Sequence, residues 1–281
     1  MAMHILTLAC PDRPGIVASI AEGLLEVDAN ILENAQFGDV PTSTFCMRTR
    51  FETPIEDADV IAAALAPRAA ALGGDLRVRR HEQRTRTLVM VSKYDHCLVD
   101  LLYRWKADEL PIDIPLVVSN HEDLGDEVRA HGIGFEHVPV TALTKPEAEG
   151  RLLDLVAEHD IQLVVLARYM QVLSPGLCHA LAGRIVNIHH SFLPGFKGAK
   201  PYHQAWQRGV KVIGATAHYV TADLDEGPII EQDVAHVSHS QDADQMRIIG
   251  RDLERSVLSR AVKAHAEGRV FLLGHRTVVF S

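Results

Sequence analysis

The sequence contains few cysteines, and their spacing excludes the usual zinc and disulfide frameworks. Its 281 residues include four of them, and no two form a CxxC pair: Cys10, Cys46, Cys97 and Cys178. We therefore expect free thiols buried in a cytoplasmic protein. The first residues, MAMHILTLAC, lack a basic segment followed by an apolar run, so we expect no signal peptide.

Long apolar runs and an excess of positive charge are also missing. No stretch approaches the ~18–20 apolar residues needed to cross a bilayer. The formal net charge is −9, whereas proteins that bind nucleic acids or anionic membranes need a basic surface. We therefore expect neither partner. The 16 histidines form no HxxxH pattern with a nearby acid, so we expect no metal.

Residues 1–80 have the pattern of a small α+β domain. An apolar strand at residues 4–9 leads into the turn CPDRPG at residues 10–15, and apolar residues then recur at helical spacing from Ile16. Two strand patterns, a second helical pattern that ends at Gly73, and a last strand follow. The predicted order is βαββαβ, a ferredoxin-like arrangement.

The strand, the CPDRPG turn and the helix after it resemble the ACT family of small regulatory domains. This resemblance implies a regulatory or oligomerisation role for residues 1–80 and a homo-oligomer. Free backbone amides at Gly15 can bind a carboxylate, and Asp12 can receive an ammonium group. We therefore expect a possible amino-acid effector at Asp12 and Gly15; the alternative is that CPDRPG is only a tight turn.

Residues 81–86 are polar and suit a linker, and residues 87–281 predict a second domain. Strands and helices alternate in it, which indicates a Rossmann-like, mostly parallel sheet and gives the chain an α/β fold class. Ligands of such sheets bind outside the carboxyl ends of the strands.

A polar cluster, NIHHSFLPGFKG, follows the strand pattern that we expect to end at Val186. Asn187 and His189 lie two residues apart, so on an extended chain they point to one side and His190 to the other. Asn187 can donate a hydrogen bond to a carbonyl oxygen, and His189 can donate one or move a proton.

A carboxylate stands on a second loop of this domain. Asp225 precedes a Gly-Pro turn, and His218 lies near the end of the incoming strand, where it could orient Asp225. An amide donor, an imidazole and a carboxylate at strand ends suit acyl transfer. The alternative is that Asn187 caps a turn and Asp225 begins one.

Three elements of these loops resemble the formyltetrahydrofolate-dependent formyltransferase family: Asn-x-His at residues 187–189, Ser-x-Leu-Pro at 191–194, and Leu-Asp-x-Gly-Pro at 224–228. The resemblance implies a catalytic set in which Asn187 and His189 contact the formyl oxygen. Asp225 would manage proton transfer with water, and His218 would support it.

The segment LARYMQVLSP at residues 166–175 resembles the stretch that lines the pterin pocket in this family. The resemblance implies that side chains of this segment and backbone groups around Leu224 contact the folate. Lys197 could bind the anionic tail of the folate. The folate-binding residues that we expect are Arg168, Met170, Leu173, Lys197 and Leu224.

Within the family, the chain resembles the deformylase branch through its N-terminal unit, SKYDHCL at residues 92–98 and GAKPYHQA at residues 198–205. Glycinamide ribonucleotide formyltransferases carry a Gly-Ser-Asn phosphate loop where this chain has Lys-Tyr-Asp-His at residues 93–96. Without glycine, that loop does not suit a phosphate, which leaves water as the acceptor.

The resemblance therefore implies hydrolysis of 10-formyltetrahydrofolate to tetrahydrofolate and formate in one-carbon and purine metabolism, with no cofactor. Two alternatives stay open. One is a formyltransferase that uses an unidentified amine, and the other is a catalytically inactive protein that senses an amino acid.

Overall fold

A computed structural model of the chain describes residues 1–195 and 201–281. These residues form two compact units, Met1–Gln83 with Glu267–Ser281, and Arg84–Ala266. Within the described ranges, no helix combines the length and the apolar character needed to cross a membrane.

The first unit contains a four-stranded antiparallel sheet with the order β2-β3-β1-β4. Its strands and helices follow the predicted order βαββαβ, so this part of the fold prediction is confirmed. The elements are β1 (Ala2–Pro11), α1 (Ile16–Glu26), β2 (Asn30–Asp39), β3 (Thr44–Thr53), α2 (Ala58–Leu72) and β4 (Asp75–Arg80).

Short-range chemistry sets the helix ends in this unit. The Asp57 side chain accepts a hydrogen bond from the backbone N–H of Asp59 and so begins α2. Gly73 ends α2 in the left-handed conformation, which glycine adopts without strain. Leu8 of β1 then packs against Ile20 of α1 and Leu65 of α2 in the core.

The predicted effector residues lie where β1 passes into α1. Gly15 is the N-cap of α1, with a left-handed φ of 91°, and no side chain caps this end of the helix. Asp12 is exposed, and its backbone N–H donates to the carbonyl of Ser43 at 2.9 Å. The turn therefore exposes both groups that an amino acid would need.

The second unit contains a seven-stranded sheet with the order β11-β10-β9-β8-β5-β6-β7. Five strands are parallel, while β10 and β11 pair antiparallel at one edge, which confirms the mostly parallel sheet. The strands are β5 (Thr85–Val91), β6 (Ile112–Ser119), β7 (Gly134–His137), β8 (Leu163–Leu166), β9 (Ile185–His189), β10 (Val212–Tyr219) and β11 (Ile229–His236). The helices are α3 (His96–Lys106), α4 (Gly125–Ala130), α5 (Lys145–Glu158), α6 (Pro175–Ala180), α7 (Pro201–Arg208) and α8 (Ala243–Ala266).

The polar segment at residues 81–86, predicted as a linker, is partly a strand. Its last two residues begin β5, where Thr85 pairs with Ile112 and Arg86 with Asp113. Strands pair through backbone groups, so polar residues can form the end of a strand. A pattern of apolar residues does not predict such a strand end.

The C-terminal residues correct the predicted boundary of the second domain. Strands β12 (Val270–Leu273) and β13 (Arg276–Val279) form a separate antiparallel pair, grouped with the first unit rather than the second. Phe271 and Phe280 pack in one cluster with Cys46 of β3. The apolar pattern of a short strand does not predict which residues it packs against. The sequence-based boundary therefore placed these residues with the domain that precedes them along the chain.

Candidate active site

Strand β9 positions the first two candidate residues. Asn187 pairs with Leu166 of β8 and with His218 of β10, and His189 pairs with Thr216 of β10. The strand therefore continues to His189, three residues beyond the predicted end. Alternation along it places Asn187 and His189 on one face, and both line the same cavity.

The loop between β10 and β11 carries Asp225. A Cβ at Gly227 would lie 1.7 Å from the carbonyl oxygen of Tyr219, so only glycine allows the chain to pass so close. Asp225 itself has a left-handed φ of 58°, which aspartate tolerates better than most residues. This loop brings Oδ1 of Asp225 to 3.2 Å from Nδ1 of His189.

The contact between His189 and Asp225 settles the charge of the carboxylate. Burial raises the pKa of Asp225, but the hydrogen bond and charge of His189, with the charges of His218 and His190, lower it further, so the net shift is downward. Asp225 is therefore ionised at neutral pH. Because Nδ1 of His189 faces Asp225, its Nε2 remains for a ligand. Nε2 is buried and has no hydrogen-bond partner among the described residues.

His218 supports Asn187. Its Nδ1 donates to the carbonyl oxygen of Tyr219 at 2.8 Å, and burial lowers its pKa and keeps the ring neutral. Nε2 therefore accepts a hydrogen bond from Nδ2 of Asn187 at 3.2 Å. The predicted contact with Asp225 is too long for a hydrogen bond, at 3.9 Å. His218 thus fixes the amide orientation of Asn187 and leaves one Nδ2 hydrogen for a ligand.

A cavity of about 240 Å³ contains this constellation. Its wall includes four of the five residues predicted to bind folate, and the fifth, Lys197, lies outside the described residues. Met170 and Leu224 are 52% and 57% exposed, so apolar surface faces the opening, while Leu173 belongs to the core. The backbone N–H of Met170 donates to Oγ of Ser92, which holds this wall in place.

A buried ionic cluster surrounds Glu254 of α8, a residue that is 1% exposed. Its carboxylate accepts hydrogen bonds from the Tyr202 hydroxyl at 2.6 Å and from Nε2 of His96 at 2.8 Å. Nε of Arg168 lies 3.4 Å away. Burial raises the pKa of Glu254, but the hydrogen bond from His96, the charge of Arg168 and the bond from Tyr202 outweigh it and lower the pKa. Glu254 is therefore a buried carboxylate.

The side chains of His96, Cys97 and Glu254 bring potential metal-ligand atoms within 4.8 Å of one another. Burial raises the pKa of Cys97 well above its usual value, so its sulfur is a neutral thiol in this structure. The carboxylate is already paired with Arg168, so the cluster serves as an internal ion-pair network.

Known proteins similar to this chain share its fold and its length. The formyl transferase family matches residues 85–262. A formyltetrahydrofolate deformylase from Corynebacterium sp. strain P-1 is 48% identical over 278 residues, which cover 98% of this chain and 97% of that protein. The chain belongs to the formyltetrahydrofolate deformylase family.

Solved structures agree with this membership of the deformylase family. The crystal structure of a formyltetrahydrofolate deformylase from Burkholderia mallei is 48% identical, covers 100% of both chains and has a TM-score of 0.96. A glycinamide ribonucleotide transformylase from Symbiobacterium toebii is 28% identical and covers 72% of this chain and 97% of its own, with a TM-score of 0.67. The sheet of the second unit is therefore the part shared with transformylases.

Sequence analysis missed two features of this deformylase-family site. His190 was expected to point away from His189, but β9 ends at His189, alternation stops there, and the two rings lie 5.2 Å apart. Glu254 was not singled out. Its position on the helix could have indicated that it is buried. Glu254 lies four residues from Gly250 and from Leu258, which are both buried on the same face of α8.

Proposed function

We propose that this chain hydrolyses 10-formyltetrahydrofolate to tetrahydrofolate and formate, in one-carbon and purine metabolism. Membership of the deformylase family supports the reaction. The observation that carries the assignment of residues is the contact of His189 with Asp225 beside Asn187, on the wall of one cavity.

In this mechanism the formyl oxygen accepts hydrogen bonds from Nδ2 of Asn187 and from Nε2 of His189. Asp225 removes a proton from water as the water oxygen bonds to the formyl carbon. The tetrahedral oxyanion is stabilised by the same two donors. The bond between carbon and N10 then breaks, and N10 takes the proton that Asp225 removed from water. The formic acid that leaves gives its acidic proton to solvent and becomes formate.

Three contacts support these roles. His218 directs the Asn187 amide, so its free hydrogen has one orientation. The Asp225 carboxylate, 3.2 Å from Nδ1, holds the imidazole of His189 in one orientation. The folate ring system rests on the exposed apolar wall at Met170 and Leu224.

The loop at residues 93–96 supports water as the acceptor. His96, its last residue, begins α3 and hydrogen-bonds Glu254 in the interior, so its ring is not free to hold a substrate phosphate. Tyr94 of the same loop covers Arg168, whose guanidinium carbon lies 5.3 Å from the ring centre. These side chains occupy the place where a transferase loop of small residues would expose backbone amides.

The test is incubation of the purified chain with 10-formyltetrahydrofolate and no amine, while tetrahydrofolate and formate are both measured. Equal amounts of the two products support the hydrolase. Turnover that requires an added amine would identify a formyltransferase. Folate binding without any turnover would identify an inactive regulatory protein.

The proposal includes no cofactor and no metal, because an oxyanion site and a carboxylate suffice for attack by water. It also places the enzyme in the cytoplasm, as expected from the sequence. Formyltetrahydrofolate is then the substrate, and nucleic acids and membranes are not partners.

We further propose that the domain formed by residues 1–80 is an ACT-like regulatory and oligomerisation module, joined by a short linker to the catalytic domain. The uncapped N-terminus of α1 at Gly15 would bind the carboxylate of an amino acid, and Asp12 its ammonium group. Strand β2 lies at the edge of its sheet and exposes 46% of Phe37, so a second copy of the chain can pair there. Light scattering of the purified protein tests the homo-oligomer, and a monomer would contradict it.

A further inference from the structure

Arg168 is a buried cation, and two of its three side-chain nitrogens have no hydrogen-bond partner among the described residues. Its side chain is 9% exposed, and Nε and Nη1 are both buried without a hydrogen-bond partner among residues 1–195 and 201–281. A guanidinium carries five N–H donors, and buried donors without partners are costly. A ligand bound in the cavity would supply the partner that the described residues do not give to these two nitrogens.

The ion pair with Glu254 does not fill this need. Nε of Arg168 lies 3.4 Å from Oε2 of Glu254 but makes no hydrogen bond among the described residues. The hydrogen bonds to this carboxylate come from His96 and Tyr202. The charge of Glu254 and the Tyr94 ring thus hold the guanidinium in place. The hydrogens on Nε and Nη1 of Arg168 still lack a hydrogen-bond acceptor among the described residues.

Arg168 lies at the candidate site. Leu166, the last residue of β8, pairs with Asn187 of β9, so the chain two residues further on reaches the level of His189. Arg168 lies there with a left-handed φ of 65°, a conformation that is strained for a residue with a long side chain. It lines the same cavity as Asn187, His189 and Asp225.

The neighbouring histidine does not compete for an anion at this point. His190 lines the same cavity, and burial together with the charge of Arg168 lowers its pKa to about 3. It is therefore neutral at physiological pH. Arg168 provides the permanent positive charge on this side of the cavity.

We propose that Arg168 binds the formate released by the reaction and stabilises its developing charge. This inference rests on the proposed hydrolysis, which converts a neutral formyl group into an anion beside the Asp225 carboxylate. The formate and the Asp225 carboxylate are both negative and repel each other, and the buried guanidinium of Arg168 offsets this repulsion. Its planar N–H groups match a carboxylate, whereas a neutral formyl group offers one weak acceptor.

The test compares Arg168→Gln with the wild type and with Arg251→Gln. Arg251 is a matched control, because its guanidinium carbon lies 5.9 Å from the same Tyr94 ring but the residue does not line the cavity. Sodium formate is titrated into each protein by calorimetry without folate, and formate is also used as an inhibitor of turnover. Nitrate, a planar anion of similar size, serves as a second probe.

We expect Arg168→Gln to weaken the binding of formate and nitrate about 10- to 100-fold, as for the loss of a charge-assisted hydrogen bond. Arg251→Gln should behave as the wild type. If Arg168→Gln does not fold, Arg168→Lys keeps the charge opposite Glu254, loses the planar donors, and should still weaken formate binding.

Unchanged formate affinity in the folded Arg168 variants, with only a lower melting temperature, would overturn the proposal and make Arg168 a purely structural partner of Glu254. The two proposals fail separately. A wild type that binds formate through Arg168 without hydrolysing the folate contradicts the hydrolysis, whereas hydrolysis with formate affinity independent of Arg168 contradicts this inference.

Discussion

Nδ1 of His189 lies 3.2 Å from Oδ1 of Asp225, although 36 positions separate the two residues along the chain. Strand β9 supplies the imidazole, and the loop after β10 supplies the carboxylate. The pair leaves Nε2 of His189 buried and without a hydrogen-bond partner among the described residues. In the proposed mechanism, Asp225 is the base and His189 is a hydrogen-bond donor, and this contact holds the two side chains together.

Asp225→Asn should abolish hydrolysis and leave folate binding largely intact. The amide keeps the size of the side chain but cannot accept the proton from water, and the loss of a general base costs roughly 10²–10⁴ in rate. Turnover and folate affinity should both be measured. Asp160→Asn is the control and should keep most activity, because Asp160 also has a left-handed φ, of 50°, but is exposed and does not line the cavity. Turnover near that of the wild type in Asp225→Asn would remove this residue from the mechanism.

Asn187→Ala should lower kcat more than it weakens substrate binding. The carboxamide donates to the oxyanion, and removal of one such donor costs about 3 kcal/mol of barrier. His218→Ala should show the same pattern to a smaller degree, because His218 acts by orienting Asn187. In the double variant the two effects should not add. A change in KM alone would make Asn187 a ground-state binding residue.

Glu254→Gln should destabilise the protein by about 3–5 kcal/mol, the size expected when one partner of a buried ion pair is removed. Thermal unfolding at pH 7 measures it. Glu158→Gln is the control, since Glu158 is 52% exposed in its pair with Arg151 and should cost under about 1 kcal/mol.

The pH dependence of this stability has a defined sign. The folded-state pKa of Glu254 lies below its unfolded value near 4.5. Its contribution is therefore fully present above pH 4.5 and is lost as pH falls through the folded pKa. The difference between the wild type and Glu254→Gln should shrink in that acidic range, and a difference that grows there would contradict the ion pair.

Removal of metal ions should leave the activity unchanged. The mechanism uses Asp225, Asn187 and His189, and none of its steps involves a metal. The measurement is turnover after treatment with a strong chelator and dialysis. Activity that the chelator destroys and zinc restores would overturn the metal-free mechanism.

An amino acid bound at the CPDRPG turn should change turnover, and Asp12→Ala should abolish this response without lowering basal activity. An effector acts only if it binds two states of the enzyme unequally. Glycine and methionine are the first candidates, because both belong to one-carbon metabolism. If calorimetry detects no binding of any of the twenty amino acids, the module serves oligomerisation only.

The sequence by itself determined the features that depend on short-range rules. Apolar periodicity predicted the order βαββαβ in the first unit and the alternation of strands and helices in the second, and Asp57 and Gly73 marked the ends of α2. The spacing of Asn187 and His189 predicted that they share one face. Each of these features depends on residues a few positions apart, so local chemistry suffices.

Only the tertiary structure decided the surroundings of the charged groups and the destination of the C-terminal strands. His96 and Glu254 meet across 158 positions, and Phe271 packs in one cluster with Cys46 although more than two hundred residues separate them. A charge on a helix normally faces water, and its burial is stable only when distant residues provide partners. The sequence contains those partners but does not give the distances between them. The cluster around Arg168 and the hydrogen bond from Asn187 to His218 were therefore found only in the folded structure.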